Sequence, residues 1–397
     1  MTLPTRDSSP DALHAAMVRR LARSGNVLTD AVAEAMAAVP RHLFLPDTPP
    51  RMAYSEQDII TKRVTADGPA LSWASAPGTI ATTLEQLIVL PGQNVLEVGT
   101  GTGYTTALLA HLTGMGGHVT TLDIDPDITA AARDVLTATG HTTITALTGD
   151  GRHGHPDAAP YQRIVAAGTW DIPAAWWDQL ARGGRLVVPL RLRGASYSIG
   201  FAHRGDRMVS DTIEPTGLTP MISGEGERTA SIHQDTLVCL VWDHDQPISS
   251  AALSGVLHRD RAVAVSGVTL GRNTPVDGIW LRLAATEAGC CRITARGPAV
   301  TSQLCTPAIP SGSPALVEED SLAYLTLTRE RYGYAHVLGA IGHGPKRHQL
   351  TDRIIAAIHA WDRDRTAAPT ITLHRGTPNT TRTRIITKGE NRLTITP

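Results

Sequence analysis

Between residues 94 and 190, short apolar runs alternate with segments whose apolar positions recur at helical spacing. The runs 95–98, 119–124, 143–147, 163–167 and 185–190 read as strands, and 104–112, 128–139 and the neighbourhood of 174–180 read as helices between them. Strand and helix alternating at this interval require crossover connections, so the pattern predicts βαβ units and a doubly wound parallel sheet. Two further runs, 196–203 and 207–213, flank Arg204-Gly205-Asp206 and read as a hairpin at the edge of that sheet.

Upstream, 11–23 and 28–39 carry helical periodicity, with Asp11 and Thr29 placed to cap them and Pro40 to end the second. Residues 49–72 mix turn formers with short apolar pieces, and 79–90 predicts a helix stopped at Pro91-Gly92. Near Ser223-Gly224-Glu225-Gly226-Glu227 the composition turns polar and the regular alternation stops. Beyond it, 237–242, 279–284, 291–295 and 321–327 predict strands, 349–361 an amphipathic helix, and 384–387 with 392–396 a terminal hairpin around Lys388-Gly389-Glu390-Asn391. The expectation is therefore two domains: an α/β domain over 1–225, helical over 1–75, and an α+β domain over 226–397.

Composition narrows the class. With 42% hydrophobic residues and 36 basic against 37 acidic side chains, the chain reads as globular and without the basic face that nucleic acid requires. No apolar run is long enough for a membrane span and the first residues carry no apolar signal core, so a cytoplasmic protein with no membrane partner is expected. Cys239, Cys290, Cys291 and Cys305 have neither paired spacing nor histidines at metal-site intervals, and His153-Gly154-His155 lacks a third clustered ligand. No metal is expected. Trp176-Trp177 on a predicted helix reads first as core packing.

The candidate chemistry centres on Glu97-Val98-Gly99-Thr100-Gly101-Thr102-Gly103-Tyr104, a strand running into a glycine-rich turn and a helix. Glycines there let backbone N–H groups approach a ligand closely. A dinucleotide fingerprint spaces its glycines GxGxxG, whereas Gly99, Gly101 and Gly103 give GxGxG behind an acidic residue. S-adenosylmethionine carries no phosphate and two positive centres, so Glu97 suits it better than a nicotinamide cofactor. Asp123 closes the next strand, where a carboxylate can accept ribose hydroxyls, and Asp150 in Gly149-Asp150-Gly151 follows the third, within reach of an adenine amino group. Each Asp alone is as readily a turn or cap residue. Their order on successive strands favours a ligand site, and also speaks against a binding module with a decayed cofactor site.

Ser75-Ala76-Pro77, Leu84-Glu85-Gln86-Leu87, the glycine run, Gly149-Asp150-Gly151, Pro160-Tyr161-Gln162-Arg163-Ile164 and the stretch from Gln179 to Pro189 resemble the protein-L-isoaspartate O-methyltransferase family over about half the chain. Thr61-Lys62-Arg63, the stretch from Trp170 to Trp176, the stretch from Ser266 to Arg272 and the ending Arg392-Leu393-Thr394-Ile395-Thr396 are similar to its actinobacterial variant linked to ribosomal peptide maturation, in FxLD lanthipeptide or graspetide systems. The resemblance implies a Rossmann-like class I methyltransferase sheet and S-adenosyl-L-methionine as cofactor. It implies Ser75 as the residue at the methyl acceptor, with Ala76 and Pro77 beside it, and Glu97, Gly99, Thr100, Gly101, Gly103, Asp123, Ile124, Asp150 and Gly151 at the cofactor. It further implies a modified ribosomal precursor peptide as partner, esterified on an aspartate that then forms succinimide and isoaspartate; the alternative is repair of isoaspartyl damage. Gln162 where Asp is usual and Gly78-Thr79-Ile80 after the Ser-Ala-Pro motif depart from the family pattern.

A carboxylate is ionised at neutral pH, so its methylation needs placement rather than a strong base, which fits the lack of an evident catalytic dyad. Ser75 is expected to orient the acceptor; as a plain structural residue it would instead cap the helix that follows.

Overall fold

The structure is a computed structural model that describes residues 9–65, 70–169, 171–216, 226–233, 237–271, 274–329, 336–376, 378 and 384–396. Trp170, Arg272 and residues 223–225 of the polar stretch lie outside them. The chain divides into two compact units, 1–190 with 198–222, and 191–197 with 223–397.

In the first unit, α1 (Pro10–Ser24) and α2 (Asp30–Ala38) form the expected helical pair. Ser9, not Asp11, caps α1 by accepting the Ala12 N–H, because the helix begins one residue earlier at Pro10. Asp11 sits in the first turn, where its charge favours the helix dipole. Thr29 does cap α2. The span 49–72, with no periodic pattern, holds the short helix α3 (Pro50–Ala53) and the antiparallel hairpin β1 (Ile59–Arg63) and β2 (Ala70–Ala74). β1 is mostly exposed, so its sequence carries no in–out alternation.

Helix α4 (Pro77–Leu87) starts at Pro77, which fits an N1 position, and ends where Ile88 turns left-handed at φ +51°. Then follow β3 (Asn94–Val98), α5 (Tyr104–Thr113), β4 (His118–Asp123), α6 (Pro126–Ala138), β5 (Ile144–Thr148), β6 (Tyr161–Ala166), α7 (Ala174–Gln179), β7 (Leu180–Leu192), β8 (Ala195–Arg204) and β9 (Arg207–Pro215). Their order across the sheet is β9-β8-β7-β6-β3-β4-β5. The pairs β3 with β4, β3 with β6, β4 with β5, and β6 with β7 are parallel, as a doubly wound α/β sheet demands. Val98 aligns with Leu122 and with Ala166, and Asp123 with Thr148. The loops leaving β3, β4, β5 and β6 therefore emerge at one edge, where such sheets bind ligands. Trp176 and Trp177 are both buried.

Glu85, from the quoted Leu-Glu-Gln-Leu segment of α4, has a structural task. Its Oε1 accepts the N–H groups of Leu28 and Thr29 at 2.7 and 2.9 Å and the Thr29 hydroxyl at 3.2 Å. Glu85→Ala should lower unfolding stability by about 2 kcal/mol, the usual scale of hydrogen bonds to a charged group. A urea melt with an unshifted midpoint would contradict this role, and cofactor affinity should not change.

The second unit is built on a seven-stranded antiparallel sheet in the order β10-β11-β13-β14-β15-β16-β12: β10 (Glu227–Ser231), β11 (Val238–Asp243), β12 (Arg261–Leu270), β13 (Cys290–Ala295), β14 (Ser313–Glu318), β15 (Ser321–Arg329) and β16 (His336–His343). Its core gathers Leu240, Trp242, Ile293, Leu322, Tyr324 and Ile341 among others. The residues 279–284, expected as a strand, form part of helix α8 (Asp277–Thr286). Ile279 to Ala285 are all buried, Arg282 among them, so this helix shows no polar face, and a short, mainly apolar run does not distinguish helix from strand. Helix α9 (Gly297–Thr301) is short, α10 (Arg347–Asp362) packs on β12, β15 and β16, and β17 (Thr370–His374), β18 (Ile385–Lys388) and β19 (Asn391–Thr396) form a small antiparallel group that includes the terminal hairpin. All four cysteines are free thiols, three of them buried.

Candidate active site

The turn from β3 into α5 needs its glycines. Gly99, Gly101 and Gly103 have φ of +101°, +53° and +81°, values that side-chain-bearing residues rarely adopt. A Cβ on Gly99 would stand 2.8 Å from the Ala167 Cβ at the end of β6. The N–H groups of Gly99 and Thr100 donate to the Leu122 carbonyl at 2.7 and 3.2 Å, which fixes the turn against β4. The result is a backbone cradle that a side chain would fill.

Glu97 lies at the base of the cradle, 4% exposed. The hydroxyls of Thr106 and Thr121 donate to its Oε2, and Thr121 also bonds the Thr100 hydroxyl at 2.8 Å. Burial pushes the Glu97 pKa up to about 7, against the two threonine hydrogen bonds, with a small upward push from the Asp123 charge. A carboxylate held this way gains from a cationic ligand, which restores its charged form.

Asp123 ends β4 as expected. Its Oδ2 accepts the Gly101 N–H at 3.0 Å and its Oδ1 the Asp125 N–H at 3.1 Å. Each oxygen keeps a lone pair for a ligand hydroxyl. Ile124 beside it is 53% exposed, an apolar surface at the same edge. Asp150 is engaged locally: it accepts the Arg152 N–H and forms a two-oxygen ion pair with the Arg152 guanidinium, which lowers its pKa. Gly151 is buried, its carbonyl accepting the Trp176 indole N–H at 2.8 Å, and a Cβ there would meet Val98 at 2.3 Å.

Ser75-Ala76-Pro77 forms the junction of β2 and α4. Ala76 is the N-cap and Pro77 the first helical residue, so Ser75 does not cap the helix. The N–H groups of Ala76 and Gly78 are taken instead by Asp58 Oδ1 at 2.8 Å and Glu56 Oε2 at 3.0 Å. The Ser75 carbonyl accepts from Arg41 at 2.7 Å.

A cavity of about 280 Å³ brings Ser75 together with Glu97, Gly99, Thr100 and Gly101. Gly103, which shapes the turn, is not on its wall, nor are Ala76, Pro77, Asp123, Ile124, Asp150 and Gly151. The wall also includes Arg41, Asp58, Trp73 and Thr83, none of which the motifs single out, and Thr79 and Ile80 from the stretch that departs from the family pattern. Trp73 and Ser75, two apart at the end of a strand, fall on one face by the strand's period. Arg41 and Asp58 come from segments with no pattern of their own, and only the fold brings them here.

A glycine-rich β3–α5 turn with a buried acid beneath it and an acid closing the next parallel strand define a class I methyltransferase that uses S-adenosyl-L-methionine. The chain belongs to the protein-L-isoaspartate(D-aspartate) O-methyltransferase (PCMT) family, whose model matches residues 12–226; it is a carboxyl O-methyltransferase. A protein-L-isoaspartate O-methyltransferase from Ignicoccus hospitalis is 40% identical over 211 residues, 53% of this chain and 97% of that protein. One from Aeropyrum pernix is 42% identical over 176 residues, 44% of this chain and 65% of that protein. A solved structure described as protein-L-isoaspartate O-methyltransferase aligns with 90% of this chain and 96% of its own, with a TM-score of 0.50 and 18% identity, a likeness of fold. Among the described residues no helix is long and apolar enough to cross a membrane.

Proposed function

We propose that the protein methylates the free carboxylate of isoaspartyl residues in peptides and damaged proteins, in the cytoplasm. What carries this reading is that Ser75 and the Gly99–Gly101 turn share one cavity in a chain that spans nearly the whole length of a relative bearing that name. The cofactor, when bound, supplies a methyl group activated by a sulfonium. The residues present fit it: the glycine turn offers backbone without side chains, Glu97 meets its positive charge, Asp123 has lone pairs for ribose hydroxyls, and Ile124 an apolar surface for the base. Asp150 serves the base only after releasing Arg152.

The acceptor needs no base, because its carboxylate is already ionised at neutral pH. Ser75 donates its hydroxyl to one carboxylate oxygen and leaves the other in line with the methyl group. The ester so formed has a more electrophilic carbonyl. Attack by the next backbone nitrogen closes a succinimide and expels methanol, and water reopens the ring to aspartate or isoaspartate. Ser75→Ala should reduce kcat by about 10–100-fold, the scale of one hydrogen bond to a charged group, with cofactor affinity unchanged. An unaltered kcat would remove Ser75 from the site.

A second reading is supported by the roughly 170 residues that follow the family match and fold around a core of their own. In it, the substrate is an ordinary aspartate of a ring-constrained ribosomal peptide, lanthipeptide or graspetide, bound by the second unit. The extension alone does not favour it, since a solved chain described as an isoaspartyl enzyme aligns with nine-tenths of this one. Initial rates on an isoaspartyl peptide, its aspartyl counterpart and a cyclised precursor peptide decide between them. The first reading expects the isoaspartyl peptide to be fastest, and a cyclised aspartyl peptide as sole substrate would replace it with the second.

A further inference from the structure

Arg41 has no part in the roles assigned so far, yet it is fully buried and lies on the wall of the same cavity as Ser75. Its Nε donates to the Ala53 carbonyl at 2.8 Å, and one terminal nitrogen, Nη2, to the carbonyls of Ser75 at 2.7 Å and Ala74 at 3.4 Å. The guanidinium carbon sits 5.1 Å above the Tyr104 ring. The other terminal nitrogen, Nη1, is buried and has no hydrogen-bond partner among the described residues.

The nearby carboxylates are committed elsewhere. Glu56 pairs with Arg20 at 2.7 Å and accepts the Gly78 N–H, while Asp58 accepts the Ala76 N–H. They act on Arg41 only through space, against a burial that lowers its pKa. A cation removed from water without a contacting anion is strongly disfavoured unless another group compensates it. The bonds to three carbonyls explain Nε and Nη2 as ties between α3 and the end of β2. They leave Nη1 without a partner and the charge met only by the Tyr104 ring and by carboxylates that do not touch it, on the cavity wall shared with the residue proposed to orient a carboxylate.

We propose that Arg41 is the positioning residue that makes the acceptor end of the cavity selective for a carboxylate: it fixes the Ser75 backbone and supplies the positive charge that draws an anionic acceptor in preference to its neutral amide. This rests on the reading of Ser75 as the acceptor residue. A lysine would supply the charge without the fork of donors, and a glutamine neither.

The test uses the full chain saturated with S-adenosylhomocysteine and compares binding of an isoaspartyl peptide with that of its isoasparaginyl amide, in which only the charge is lost. The unaltered protein should bind the acid at least about tenfold more tightly than the amide. Arg41→Gln should bring the two within about threefold, and Arg41→Lys should keep most of the preference. Cofactor affinity should stay constant throughout. A purely structural Arg41 would weaken acid and amide together, so a preference retained in Arg41→Gln overturns the assignment and leaves the proposed activity standing. If Arg41→Gln does not fold, a folded Arg41→Lys that has lost the preference overturns it equally. If the unaltered protein shows no preference for the acid, the reading of the site as a carboxylate acceptor fails as well.

Discussion

Gly99→Ala is expected to lower methyl transfer by roughly 10²–10³-fold in a protein that still folds, because reacting groups displaced by even an ångström lose rate on that scale. The residue has φ +101° and a Cβ would come to 2.8 Å of Ala167. Alanine at this position must either hold a backbone conformation that disfavours it or push the turn away from β6. The second route moves Gly101, whose N–H is tied to Asp123, and Thr100, whose hydroxyl belongs to the Glu97 network. The strain itself should lower stability by about 1–3 kcal/mol, visible as a reduced melting temperature with the cooperative transition preserved. Gly101→Ala is the informative companion. Its nearest obstacle would be the Trp73 carbonyl at 3.8 Å, so it adds a methyl group to the cradle without a clash, and only the left-handed φ of +53° strains it. A Gly99→Ala protein with unaltered cofactor affinity and rate would show that the turn does not hold the cofactor.

Cofactor binding should tighten with pH up to about 7 and then level off, and Glu97→Gln should abolish that slope. In the ligand-free protein Glu97 titrates near 7, above the 4.5 of an unburied glutamate. Between those values the folded chain keeps a proton that the unfolded chain has released. The stability this group contributes is therefore fully present below about 4.5 and is lost as pH rises through about 7, a total on the order of 3 kcal/mol by linkage. A cationic ligand favours the ionised form and must expel the proton below pH 7, so its dissociation constant should fall about tenfold per pH unit from roughly 5 to 7. Calorimetry in buffers of different ionisation enthalpy reads the released proton directly. The same pH dependence in wild type and Glu97→Gln would assign the effect to another group.

The parallel sheet was legible because buried parallel strands are short apolar runs, and because Gly99, Gly101 and Gly103 stand at a turn where residue type is dictated by backbone geometry. The antiparallel second unit was read less fully. Helix α8 is buried on all sides and carries no period, and β1 is too exposed to alternate. At the site, spacing along the chain located the cofactor turn, but it could not show that Asp150 spends its carboxylate on Arg152 two residues later. Nor could it place Arg41, at the end of the N-terminal helices, and Asp58, in a segment without pattern, on one cavity wall with Ser75. Those associations are created by long-range packing and leave no local trace.

The central claim, methyl transfer to a carboxylate, is tested most directly by incubating the full chain with methyl-labelled S-adenosylmethionine and an isoaspartyl peptide, then treating the product with mild base. Release of the label as methanol, abolished when the acceptor carboxylate is replaced by its amide, is the predicted result. Label that resists base, or no transfer to any carboxylate-bearing peptide despite tight cofactor binding, would contradict the account.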